Sequence, residues 1–352
     1  QNTALGRSAL ANNSTADSNT AVGYAALDQN TTGNSNVSVG ANALESNTTG
    51  AGVTAVGREA LGANTTANFN DAFGYHALQL NTTGTRNVAV GSNSLDANTT
   101  ANNNTGVGYA ALSENTTGEQ NTCVGAFAGD ANTTAANLTA VGYFAASTNT
   151  TGQANTAIGG STLGLNTTGS NNTAAGKSAL GANTTGDDNV ALGANALEAN
   201  TTAVRNTAIG RAALSTTTTG GSNTAVGYEA LQVNTASQNT AVGYQALNSN
   251  TSGTANTAIG IGVLDSCTTG TENTAVGYYA LNSVTTTSRG TAMGQLTLQN
   301  ATGTQNTGFG WRAGINVTSG GNNVLIGADA GNTTSPSGSI TTGSNNVVLG
   351  DK

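Results

Sequence analysis

"NTAVGYAALDQNTTG", residues 19–33, decides the fold, because nearly the same phrase returns at residues 223, 239 and 273. The glycine of its "AVG" falls at Gly6, Gly23, Gly40 and every 17th residue as far as Gly227. The series goes on through Gly243, Gly260, Gly277, Gly294, Gly310, Gly327 and Gly350, with two intervals of 16 and a last one of 23. So short and regular a period is the signature of a solenoid in which each repeat is one coil. The 352 residues therefore predict one quasi-linear body, not two or three globular domains.

Composition offers a competing reading. With 7% charged and 4% aromatic residues, a single proline and a heavy load of Asn, Thr, Ser and Gly, the chain could be a disordered tract. Phase argues against this. The residue before the repeat glycine is apolar in all 21 copies, and the fourth residue after it is Leu in 16 of 20. A disordered tract has no reason to hold apolar residues in register.

β-branched residues, a glycine in every coil and the "NTTG" punctuator exclude a long helix and predict two strands per coil, roughly "NTAVG" and "YxALxx". Side chains alternate faces along a strand, and this reading places Val22 and Leu27 face to face inside the coil. Gly23 forms one corner, where a positive φ costs no Cβ clash, and "NTTG" forms the other. The position two before the glycine is Ala in 15 of 21 copies and Ser, Gly or Cys in four more. On that reading the small residues face outward, where close approach of another backbone explains them, although Ala is also tolerable on an exposed sheet. One Val and one Leu per coil bury roughly 3–6 kcal/mol against roughly 1–2 kcal/mol of backbone entropy for every residue. A lone coil looks short of core, and a homotrimer with the Ala21 row near its axis is expected.

The phrase carried by Asn19, Ala21, Val22, Gly23 and their equivalents resembles the coil motif of trimeric autotransporter adhesin heads of the YadA type. It is similar also to the "NTAVGYxAL…NTTG" repeats of bacterial and phage tail-fibre-domain proteins. The resemblance spans essentially the whole chain and implies a left-handed parallel β-roll, a homotrimer and an extracellular place on a cell surface or virion. The period departs from the adhesin pattern by extra residues in the "NTTG" corner, which puts cross-section and handedness in question.

The expected fold is thus an all-β parallel β-solenoid, a rod of about 20 coils stacked about 4.8 Å apart. Residues 1–331 form the regular array, and 332–352 an irregular terminal coil with an insertion around Pro336. The 16-residue intervals delete one residue near Thr235–Gln238 and near Thr297–Asn300, and strand one should stay in phase across all three irregularities. The chain opens mid-phrase at "QNTALG", which reads as a fragment or processed shaft of a larger protein. No stretch approaches membrane-spanning length, so membrane insertion is not expected.

Catalytic readings fare badly. The one histidine, His76, occupies a slot filled elsewhere by Ala25, Glu59, Ser8 and Gln245, which marks a variable surface position. The 17 acidic residues do not recur at calcium-ligand spacing, and no enzyme activity, metal or cofactor is expected. Cys123 and Cys267 lie eight coils apart, too far for an intrachain disulfide, and Cys123 takes an Ala position. The net charge of -8 and the scatter of nine basic residues disfavour nucleic acid.

Two recurring surface features remain. Tyr24, Tyr75, Tyr109, Tyr143, Tyr228, Tyr244 and Tyr278 directly follow repeat glycines, and Arg7, Arg58, Lys177, Arg211 and Trp311 use the same slot. This lateral stripe could bind cell-surface carbohydrate or a neighbouring fibre, or merely cover the corner. At the "NTT" corner Asn13, Asn30, Asn47, Asn64, Asn81, Asn98, Asn115, Asn132, Asn149, Asn166, Asn183 and Asn200 each begin an N-x-[ST] acceptor sequence. They form either a stacked Asn ladder or a glycan sheath, and attachment on every rung at about 4.8 Å would be crowded. Ice binding is a minor alternative, disfavoured because the adjacent Thr31 and Thr32 would point to opposite faces. The function expected is the non-enzymatic structural shaft of an extracellular fibre, a bacterial adhesin or phage-type tail fibre. A self-associating, glycan-coated surface filament is the runner-up.

Overall fold

In the computed structural model, which describes residues 1–333, 335 and 338–350, the chain is an all-β parallel solenoid with no helix among the described residues. It forms two compact units, Gln1–Lys177 with Asn183–Thr185, and Ser178–Ala182 with Gly186–Lys352. The first carries strands β1 (Thr3–Leu5) to β11 (Thr173–Ala175), and the second β12 (Val190–Leu192) to β21 (Val347–Leu349). Every strand is three residues long and, within each unit, pairs in parallel with the equivalent strand of the next coil. Thr20 thus stands against Thr3 and Val37, and Ala21 against Ala4 and Ser38.

The sides of this strand are the reverse of the sequence expectation. Ala21 is fully buried and faces Leu27 across the coil, whereas Val22 is half-buried on the outer side with Thr20. The reason is the width of the interior. A three-residue strand sends one side chain in and two out, and Leu27, Ala26 and two asparagines already fill the space opposite. At Gly308, which takes the Ala21 position, a Cβ would come within 2.6 Å of Thr297 and 2.9 Å of Leu298; at Gly106 it would meet Ser94 Oγ at 2.6 Å. Both glycines accompany an enlarged residue in the Ala26 column. Cys123 is balanced in the same way, because Gly129 replaces the usual Leu and its Cβ would lie 2.8 Å from Cys123 Sγ.

The small-residue row is therefore an inner wall and cannot lie on a symmetry axis between chains. Ala157→Phe and Ala26→Phe should act alike. Each overpacks a fully buried site, costing about 1–3 kcal/mol or more. Urea melts that separate the two variants by more than about 1 kcal/mol would contradict this assignment.

The expected second strand, "YxALxx", is a succession of turns. Ala25 (φ 50°) and Leu27 (φ 52°) are both left-handed, as are their counterparts in nearly every coil and the residue at the Ser35 position (φ 59°). This alternation divides the backbone bonds between neighbours. Gly23 and Ala25 donate N–H to Leu5 and Arg7 in the preceding coil, while Leu27 and Gln29 donate to Ala43 and Glu45 in the following one. A left-handed L-residue costs roughly 1–2 kcal/mol, offset here by burial of the Leu side chain and by backbone bonds to both neighbouring coils. Where the sequence departs from the pattern it often does so with glycine, as at Gly52, Gly129, Gly262, Gly314 and Gly331, all with φ between 58° and 71°.

The irregular coils keep strand register as expected. Across the short intervals β14 (Thr224–Val226) pairs Thr224 with Thr240, and β18 (Thr291–Met293) pairs Thr291 with Thr307. Across the long one, β20 (Val324–Ile326) pairs Val324 with Val347 of β21. At the first short corner Asn234 reaches the carbonyl two residues on, Ala236, where the regular corner uses the third. Pro336, the centre of the expected insertion, lies outside the described residues.

Candidate functional site

Two polar columns line the corner. Asn30 donates Nδ2 to the Gly33 carbonyl (3.0 Å) and to Asn13 Oδ1 in the preceding coil (3.2 Å). Asn47 repeats this on Asn30, and the chain of amides continues rung by rung to Asn183. The second column is Asn19 and its equivalents. Asn36 donates its backbone N–H to Asn19 Oδ1 (2.8 Å) and its Nδ2 to the Gly50 carbonyl (2.8 Å). Sequence reading did not place this column inside, although Val53 and Leu138 occupy it and are buried. Apolar residues substituted into an asparagine column were the available signal.

The ladder geometry bears directly on the glycan alternative. Asn30, Asn47, Asn64, Asn81, Asn98, Asn115, Asn132, Asn149, Asn166, Asn183 and Asn200 are at most 1% exposed. An N-linked sugar has no path out from a buried Nδ2 that already donates to protein acceptors. The ladder also records its own interruptions: Cys267 stands on the rung after Asn250, and Asn250 Oδ1 is left without a donor among the described residues. Neither cysteine is in a disulfide, and burial pushes both thiols up, so neither is an activated nucleophile.

Tyr24, Tyr75, Tyr109, Tyr143, Tyr228, Tyr244 and Tyr278 are all exposed, between 37% and 59%. They also interact between coils. The guanidiniums of Arg7, Arg58 and Arg211 lie 5.6–5.8 Å from the ring centres of Tyr24, Tyr75 and Tyr228, and Tyr228 stacks on Tyr244 at 5.4 Å. Phe127 joins Tyr109 (5.3 Å) and stacks on Phe144 (4.9 Å). Tyr228 is thus held between Arg211 of the preceding coil and Tyr244 of the following one, while the rings of the stripe all remain partly exposed.

His76 stacks on Tyr75 at 3.7 Å, and its Nε2 lies 3.1 Å from Glu59 Oε2. Glu59 also accepts from Arg58 and Gln79. These contacts tie neighbouring coils and leave no nucleophile beside the imidazole. Among the described residues no group of three or more His, Cys, Asp or Glu side chains is arranged to hold a metal ion, and no helix is long and apolar enough to cross a membrane. Two grooves among the described residues are open to solvent. One is lined by Asp96, Ser113, Glu114 and Thr133, another by Asn42, Glu45, Glu59 and Gln79.

Asp130 and Asp96 have raised pKa values, chiefly through burial, and the charge of nearby Glu114 adds to both. Because the folded-state value lies above that of the unfolded chain, the folded chain binds these protons more tightly. Stability is then greatest below the unfolded carboxylate range and falls as pH rises through the raised folded values. Asp130→Asn should remove part of this fall. With the side chain half exposed, the gain near neutrality should be a few tenths to about 1 kcal/mol. Urea midpoints near neutral pH and near pH 3 check it, and an equal shift at both would exclude titration as the cause.

These features define a repeat solenoid whose recurring elements are structural ladders and surface columns. No family model matches the chain, and no curated protein matches it.

Proposed function

We propose that this chain is the non-enzymatic structural shaft of an extracellular fibre, of the bacterial adhesin or phage tail-fibre kind, which holds a binding or anchoring module away from a surface. The observation that carries the reading is repetition itself: coil after coil is tied to its neighbours by the same backbone bonds, and most by the same asparagine bonds, so length is gained by adding coils. The two open grooves lack the enclosed apolar wall of a small-molecule site. The resemblance of the coil phrase to adhesin and tail-fibre repeats supports the same role.

Within this reading the chain is a homo-oligomer, with a trimer favoured by the resemblance. The contact between copies, or with surface carbohydrate, lies along the stripe of Tyr24 and its equivalents, whose rings are exposed. Electron microscopy of the native particle together with its intact mass tests the proposal. A slender fibre built from several copies is expected. A compact monomer with no fibrous form would overturn it.

A further inference from the structure

The outer face of the strands carries a second regular array. Thr105, Thr122, Thr139 and Thr156 in the first unit stand in register, each followed two residues on by Val107, Val124, Val141 and Ile158. In the second unit Thr207, Thr224, Thr240, Thr257 and Thr274 stand in register with Ile209, Val226, Val242, Ile259 and Val276. The residue between each pair, alanine except at Gly106 and Cys123, is buried, so both branched side chains of every strand point out. Each unit therefore presents two parallel rows, one of threonine and one of Val or Ile.

The threonine hydroxyls of these rows have no hydrogen-bond partner among the described residues. This contrasts with the corner, where Thr31, Thr48 and Thr65 spend their hydroxyls on the carbonyl of the next coil. The nine strands carry no charged residue on this face. Backbone and asparagine ladders fix the rows, so little side-chain freedom remains to be lost on binding.

We propose that these two Thr–x–Val/Ile faces bind ice. Strand stacking sets the rows at about 4.8 Å per coil, close to the oxygen repeat along the a axis of ice. Hydroxyls in register hold first-shell waters at that repeat through ordinary hydrogen bonds. The methyl groups of Thr, Val and Ile between them offer water no competing partner and release their own hydration on contact. A protein partner suits the rows less well, since interface anchors are aromatic or Arg, and Thr and Val are under-represented among them. The Thr31–Thr32 pair, which argued against ice binding from sequence, belongs to the corner and is not part of this face.

The test uses the full chain and ice itself. The protein should enter a slowly growing ice front and lower the freezing point below the melting point. Thr139→Tyr with Thr240→Tyr, one bulky ring on each face, should reduce that gap at least several-fold without altering the circular dichroism spectrum. Thr49→Tyr, on the exposed corner, should leave it unchanged. Exclusion from ice, or a gap insensitive to the face variants, overturns the proposal. So does sedimentation showing that the native chains associate and that the same variants separate them, because the rows would then be a contact between copies. Fibre formation is read by microscopy, so failure of the shaft reading and failure of this one are distinguishable.

Discussion

Replacing Asn115 by aspartate should unfold the coils around it more readily than any change to the surface. Asn115 donates to Asn98 Oδ1 (3.2 Å) and the Gly118 carbonyl (3.0 Å), and its own Oδ1 accepts from Asn132 (2.8 Å). Aspartate keeps the acceptor, removes both donors and places a charge in a fully buried column. An uncompensated buried charge costs roughly 3–5 kcal/mol. Asn115→Val, a residue found on the equivalent rung at Val284 and Val317, should cost about 1–3 kcal/mol through the unmet partners. Because contacts run only between neighbouring coils, the loss should be local. Amide hydrogen exchange of the flanking coils measures it, and unchanged protection in the aspartate variant would show that the ladder contributes little.

Gly125→Ala should be the second severe change. Gly125 has φ +137°, a region that side chains avoid, and a Cβ there would lie 2.5 Å from the Gly142 carbonyl oxygen of the next coil. The conformation alone costs about 1–3 kcal/mol, and the clash falls on backbone that cannot move without breaking the ladder. Gly52→Ala is the control. Its φ of +64° is the left-handed region that Ser35 and Asp188 occupy at the same point of the coil, and its nearest neighbour is the Phe69 ring at 3.1 Å. It should lose about 1 kcal/mol. Comparable losses at the two glycines in thermal melts would refute the distinction.

Much of this architecture was legible in the sequence. The interval between glycines gave the coil, and the Asn30 column gave one ladder. Register across the short and long intervals followed from the strand phase. The direction of the strand was not legible, because Ala21 and Val22 are both apolar and alternation fixes only that they differ. Interior width decided it, and width appears only when Leu27 and the asparagines are built. The turns at Ala25 and Leu27 were hidden for another reason. Leucine seldom takes a left-handed conformation, so an apolar run around it reads as extended; the glycines at 129, 262 and 314 were the trace of the true geometry. Of the surfaces, the tyrosine stripe was visible as a slot. The threonine rows were not, since their orientation depends on which face of the strand is buried.

The Asn13–Asn183 column has a further consequence, which concerns electrical direction. From Asn30 to Asn166 every amide in it donates toward the preceding coil and accepts from the following one. The side-chain dipoles therefore align head to tail, a hydrogen-bonded wire with its positive pole toward the earlier coils. The backbone bonds along the stack point both ways, Gly23 and Ala25 donating to the preceding coil and Leu27 and Gln29 to the following one, whereas the amides of this column point one way and polarise one another. The column is thus polar along the stack, and the Thr31, Thr48 and Thr65 hydroxyls beside it, which donate toward the following coil, run against it.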